Sequence, residues 1–378
     1  MKAAMTLAVL LLGAGCRGVA PPLPEAGDPV AEPTPLPDCS QAVPRPPLPG
    51  STLAFLTSAE NTVRTYSIQS SGCWVRLDED LLIDSAAAKA VHPSGRFLYA
   101  SGRFTDFRPG IRVFALDRGR GALEGLADVA VGDDVPGRPG STVALGDRLY
   151  TLSGALGTGY HNDLWEFAVD ADNGLLDFLG QAHQPSYDPS LLKLSAARAT
   201  LFIWAEQYSP RDGPFIRALR PDGAGRLGMV AQVRAKYGVF EPDPSGHFLW
   251  HTPWDSAGRI TGLEVFRIDP GGALERTVTL PWDRDLPVPH PTGKVLYANG
   301  PGAVEAYRVD PATGQPTLSA SVPYAGAKAR LAVDPSGDWL YAVSEDEVRA
   351  YRTDEGGALV ERGRAGEGGF GPVFVRVP

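Results

Sequence analysis

Apolar and polar residues alternate in one short motif that recurs seven times along the chain. A clear copy is Ile111-Arg112-Val113-Phe114-Ala115-Leu116-Asp117, in which an aromatic follows a charged residue two places on and Asp closes the run. The other copies lie at 63–68, 164–170, 216–222, 263–269, 304–310 and 348–354. Period-two alternation predicts a strand with one buried face at each. A turn bearing glycine follows every copy, at Gly72, Gly121, Gly174, Gly225, Gly272, Gly314 and Gly357. A second signature precedes the motif: His92-Pro93-Ser94-Gly95 leads into the apolar run Phe97-Leu98-Tyr99. It returns at 243–250, 290–297 and 334–341, with degenerate copies at 146–150 and 199–203. Pro then Gly makes a tight hairpin turn, so a buried strand is expected after each.

Residues 51–378 divided by seven give units of about 47 residues, the size of a propeller blade of four short strands. The expected fold is therefore all-β, a seven-bladed β-propeller. The first unit lacks its leading strand, and a surplus apolar run, Val373-Phe374-Val375-Arg376-Val377, ends the chain. The C-terminal strand is thus expected to pair with the N-terminal strands and close the ring, leaving no free sheet edge there.

Composition agrees with this reading. The 44 Gly and 35 Pro make up about a fifth of the chain, too many turn-formers for a helical bundle. The formal net charge is -9, with 35 Lys and Arg against 44 Asp and Glu and no basic run, which argues against nucleic-acid binding.

The first sixteen residues carry one lysine, a short apolar stretch and Gly13-Ala14-Gly15-Cys16. This reads as a bacterial secretion signal, too short to span a membrane. The small residues before Cys16 resemble a lipobox, although Gly13 stands where Leu is usual. Lipidation at Cys16 would anchor the chain to a membrane of the cell envelope; cleavage near Ala20 is the alternative. Residues 17–50 hold eleven prolines and are expected to form an extended spacer. The domain plan is thus signal 1–16, linker 17–50 and propeller 51–378. Cys39 and Cys73 then remain as a candidate disulfide or as two free thiols.

The turn signature at 92–99 and the strands ending in Asp resemble the lactonase-type seven-bladed propellers, a group that includes 6-phosphogluconolactonase-like proteins and the YVTN-repeat surface proteins. The resemblance implies the propeller fold over 51–378 and, as one possible activity, hydrolysis of a sugar or muconate lactone in the central channel. Enzymes of that family usually carry Pro-Arg-His a few residues before the hairpin turn. Here the corresponding stretches read Ala86-Ala87-Ala88, Tyr237-Gly238-Val239 and Lys328-Ala329-Arg330. The basic residues left for a channel hydrolase are Lys89, Lys193, Arg330 and Arg376, without an evident general base.

No His-Glu-x-x-His, Cys-x-x-Cys or Gly-x-Ser-x-Gly occurs, so neither a metal nor another cofactor is expected. The repeated Asp and the histidines at the hairpins, His92, His247 and His290, are assigned to turn hydrogen bonding. The connections between second and third strands are expected to be longer in blades two to five than in the rest. They bring Arg103, Phe107, Arg108, Tyr160, His161, Tyr208, Arg211 and Trp254 to one rim. Aromatics beside Arg favour recognition, so the main expectation is a non-enzymatic, monomeric binder of a partner protein or an anionic ligand. Lactone hydrolysis is the alternative.

Overall fold

The computed structural model describes residues 51–377 apart from 58–61, 78–80, 83–87, 104–108, 131–137, 155–163, 184–190, 198, 206–213, 223–224, 325–328, 345 and 366–368, and Pro47 besides. All of these fall in one compact unit, Leu36–Pro378. The signal segment, Cys16, Cys39 and most of the linker lie outside the described residues. Pro47 is buried beside Leu53 and Gly121, so the linker meets the propeller before residue 50.

The described residues form 29 strands and no helix. They assemble into seven sheets, six of four strands and one of five. Blade two shows the plan from the inside outwards: Ala88–Val91, Phe97–Arg103, Pro109–Asp117 and Ala122–Ala130, each antiparallel to the next. The corresponding first strands of blades three to seven are Arg138–Leu145, Leu191–Ala197, Gly238–Pro242, Val288–Pro289 and Arg330–Val333. These first strands touch one another in cyclic order, so they surround the channel.

The ring closes as the surplus C-terminal strand foretold. Phe370–Arg376 is the innermost strand of blade one and pairs with Thr52–Thr57, setting Leu53 opposite Val375 and Ala54 opposite Phe374. Val377 N–H donates to Ser51 C=O at 2.8 Å and extends the pairing. The register slips between Phe55 and Thr57, a bulge at the end of the strand where the second-to-third connections lie.

The apolar runs after the hairpin turns are buried as expected: second strands such as Thr52–Thr57 and Phe248–Pro253 are buried at every position. The motif strands bury more than the one face that alternation implied; Leu263–Ile268 has a single exposed residue. Each sheet is sandwiched between two others, so both faces of its inner strands are interior, while outermost strands such as Leu227–Arg234 stay largely exposed. Seven hydrophobic clusters fill the seven interfaces between blades; Trp204, Leu249 and Phe266 pack between blades four and five, for example.

The turns are built as their residues demand. All seven turn glycines have φ between +69° and +91°. At Gly174 a side chain is also excluded by contact, because a Cβ there would lie 2.3 Å from the Phe97 ring of the neighbouring blade. The closing Asp residues accept backbone N–H groups: Asp269 from Ala273 at 2.8 Å, and Asp310 from Ala312 at 2.9 Å and Thr313 at 2.8 Å. The hairpin histidines do the same work. His92 Nδ1 lies 2.8 Å from Ser94 Oγ, and His290 Nδ1 lies 2.7 Å from Thr292 Oγ1. The Cys73 sulfur is buried and disulfide-bonded; its partner lies outside the described residues.

Candidate functional site at the channel mouth

A propeller presents its first strands to the channel, so chemistry there depends on which of their side chains are polar. The mouth is taken as the end where each second strand passes into the third. Lys89 is the second residue of Ala88–Val91 and lies toward this end. Its Nζ donates to Thr57 Oγ1, and Thr57 is a buried residue at the tip of the second strand of blade one, beside the bulge. Arg330 begins the first strand of blade seven, at the same end.

Blades seven, one and two are neighbours around the ring, so Lys89 and Arg330 face the same stretch of channel. Burial, and then the positive charge of Arg330, lower the Lys89 pKa from 10.5 to about 7. Both causes disfavour the ammonium form. Near neutral pH the amine is therefore neutral in a large fraction of molecules, which an ordinary lysine is not. A neutral amine can accept a proton, and a guanidinium whose field reaches it can stabilise negative charge.

Of the four basic residues suggested for channel chemistry, Lys89 and Arg330 influence each other electrostatically. Arg376 is exposed at the opposite end of the closing strand, paired across from Thr52. Lys193 lies on the first strand of blade four, opposite Trp204 in register.

Around the mouth, neighbouring blades are tied by polar side chains. Thr142 Oγ1 donates to Ser101 Oγ at 2.9 Å and lies 2.9 Å from Thr151 Oγ1, which links blades two and three through buried hydroxyls. Asn299 Nδ2 donates to Ala329 C=O at 2.7 Å, which holds the chain just before Arg330 against blade six. In blade six, Arg284 Nε donates to Glu305 at 2.8 Å and to Tyr307 Oη at 3.0 Å. Burial alone would raise the Glu305 pKa, but the bonds from Arg284 and Tyr307 outweigh it and hold the carboxylate below its usual range. Burial and then the Glu305 carboxylate push the Tyr307 phenol up to about 12.

One group escaped the sequence reading. His251 is wholly buried in the second strand of blade five, and its Nδ1 lies 3.0 Å from Glu264 Oε2. Glu264 in turn lies 3.4 Å from Arg276, so a polar chain crosses the sheet from the second strand to the fourth. Burial opposes ionisation of Glu264, but His251, Arg276 and Lys236 together keep its pKa lowered. His251 Nε2 is buried without a hydrogen-bond partner, packed where a Cβ on Gly238 would lie 2.7 Å away. The signal was available: the equivalent position in other blades is Ala100, Ala298 or Ala342. With no exposure, His251 serves to hold blade five together through Glu264.

The expected aromatic and Arg rim is visible only in part. Phe107, Arg108, Tyr160, His161, Tyr208 and Arg211 lie outside the described residues. Arg103 belongs to the second strand of blade two, paired with Pro109, and not to a loop. Strand extension thus shortens that connection to 104–108. Trp254 is half-buried and forms a β-bridge with Ile260, so the blade-five connection folds back as a small hairpin. Asp255 organises it, accepting from Ala257 N–H and Arg259 N–H, both at 2.9 Å, and pairing with the Arg259 side chain at 2.7 Å. Hydrogen bonds from Arg259, its backbone N–H first, hold the Asp255 carboxyl below its usual range.

Solved structures share this architecture. A 6-phosphogluconolactonase candidate from Bacteroides fragilis is 16% identical and matches 86% of this chain and 98% of its own, with a TM-score of 0.67. A periplasmic gluconolactonase from Pseudomonas aeruginosa is 17% identical over 87% of this chain and 99% of its own, with a TM-score of 0.67. A hypothetical selenium-binding protein from Sulfolobus tokodaii is 12% identical over 90% and 95%, with a TM-score of 0.62. At such identities the likeness establishes the fold alone. No family model matches the sequence, and no curated protein does.

Proposed function

We propose that the chain is a lactonase-like hydrolase that opens a sugar lactone at the channel mouth, with Lys89 as general base. The observation that carries this reading is the pKa of Lys89, lowered to about 7 beside Arg330 on the channel-lining strands. It answers the objection raised by the sequence, that a basic set offers no base: desolvation and a second cation turn one of those residues into one. The lactonase names of the structural neighbours agree with it.

In the proposed step the neutral Lys89 amine takes a proton from water as that water adds to the lactone carbonyl. The Arg330 guanidinium balances the charge on the tetrahedral oxyanion. The ring C–O bond then breaks, the Lys89 ammonium returns the proton to the departing ring oxygen, and the product is a hydroxy acid. No oxidant or cofactor enters the balance.

The test is a panel of sugar δ- and γ-lactones assayed against wild type and Lys89→Met. The expected result is a kcat/KM that rises with pH through an inflection near 7, where the amine becomes neutral, and a loss of about 100-fold or more in Lys89→Met. Hydrolysis no faster than the uncatalysed rate for every lactone, or a Lys89→Met variant as active as wild type, overturns the reading.

A non-catalytic binding role through the rim is the second reading. Its support is the length of the connections 155–163 and 206–214 in blades three and four against 301–302 in blade six. If the lactone panel is silent and Trp254→Ala weakens a partner found by pull-down with the full chain, this reading replaces the first. A partner whose affinity Trp254→Ala leaves unchanged removes it.

A further inference from the structure

We propose that a groove between blades seven and one, on the face away from the channel mouth, binds a saccharide bearing a carboxylate. The groove has a volume of about 490 Å³ and is lined by Ser70, Ser71, Trp339, Arg352 and Arg362. That volume falls within the range of small-molecule sites. The proposal is independent of the lactonase reading, because none of these residues belongs to the channel mouth.

The groove is shaped by a close approach. Gly72, at φ +85°, lets the outer turn of blade one lie on the indole of Trp339, where a Cβ would come within 2.5 Å of the ring. Any other residue would lift the turn and reshape the floor. Ser70 and Ser71 precede that glycine and supply hydroxyls along one wall. The opposite wall is cationic. The Arg352 guanidinium stacks over Trp339, 5.3 Å from the ring centroid, and lies 3.4 Å from Asp338.

Charge decides what the groove suits. Asp338 offsets Arg352. Glu361, the acid next to Arg362 in sequence, is paired with Arg364. Arg362 is exposed and has no acid partner among the described residues, so the groove retains one positive charge. A single guanidinium matches a carboxylate in charge and in its planar two-pronged geometry. A phosphate dianion would be left half-neutralised. The two hydroxyls and the remaining donors of Arg352 suit a polyol, and the edge of the indole offers an apolar strip for its C–H face. These features together describe an acidic sugar.

The full chain would be titrated by calorimetry with digalacturonate, with its uncharged methyl ester and with glucose 6-phosphate, while Trp fluorescence is followed. Digalacturonate is expected to bind, and both methyl esterification and Arg362→Gln are expected to weaken binding about tenfold or more. Ser70→Ala is expected to weaken it a few-fold, and Lys89→Met to leave it unchanged. Arg362 is exposed, so its substitution leaves the fold intact and the test readable. Arg362→Gln binding like wild type, the ester binding as tightly as the acid, tighter binding of the sugar phosphate, or no binding of digalacturonate at millimolar concentration would each overturn the proposal.

Discussion

Two regions of the propeller bury titratable side chains, and they resolve the cost in opposite ways. Between the second and fourth strands of blade five, His251 and Arg276 flank the Glu264 carboxylate, at 3.0 and 3.4 Å. The carboxylate is hydrogen-bonded to His251 and lies beside the Arg276 cation, and its pKa falls against the opposing effect of burial. At the channel mouth, Lys89 shares its surroundings with Arg330, and its pKa falls because like charge and burial both penalise the ammonium. The first arrangement favours the Glu264 carboxylate and serves the fold. The second keeps Lys89 close to its titration point, which weakens the fold and makes the amine available for chemistry. A buried ionisable residue is thus read by what it faces, more than by how deeply it lies.

The largest expected effect tests whether the two regions depend on each other. Removing residues 370–378 strips the innermost strand of blade one and exposes the partners of Val375 and Val377, both nearly fully buried. Loss of those two side chains alone should cost about 3–6 kcal/mol in chemical denaturation. The channel mouth loses Phe370, which lies across from Thr57, the hydrogen-bond partner of Lys89. A truncated protein that melts like the full chain would contradict the closure as the source of that geometry.

Next in size is Glu264→Leu. It leaves the buried His251 Nδ1 without its partner, and a buried polar group left unsatisfied costs about 1–3 kcal/mol. Under the lactonase proposal, hydrolysis per folded molecule should not change. A stable variant with altered kcat would mean that the blade-five network serves catalysis after all.

The smallest effect has the opposite sign. Lys89→Met should stabilise the protein at pH 6, by a few kcal/mol at most. The folded-state pKa lies near 7 and the ordinary value is 10.5, so the unfolded chain holds the proton more tightly between these values. Wild-type stability therefore rises with pH across that window, and below it the full cost of charging Lys89 in the folded state applies. The advantage of the variant should shrink as pH rises toward 10.5. Thermal melts of both proteins across pH 6 to 10 would show it, and parallel curves would mean that Lys89 is not destabilised by its surroundings.

Most of the fold was legible in the residue pattern because a repeat states its rule seven times. Gly72 and its six counterparts all take positive φ, and the Asp residues that close the motif all stand at turns. The closing strand was legible from a deficit at one end and a surplus at the other. The site was legible only as a set of residue types. Lys89 and Arg330 lie 241 positions apart in the sequence, and nothing local signals that ring closure brings both to one stretch of channel. His251 did carry a local signal, a histidine where other blades have alanine, but its partner Glu264 becomes visible only in the cross-strand register.

By itself, then, the sequence determined the number of blades, the turn chemistry and the manner of closure, since these follow from local propensity and from counting repeated units. Tertiary structure decided which faces are buried and which charges meet. Blade packing makes both faces of the second strands interior, a fact that alternation within one strand cannot report. The same packing dries the surroundings of Lys89 and sets Arg330 near it, and a pKa responds to solvent and to charge in space rather than to neighbours along the chain.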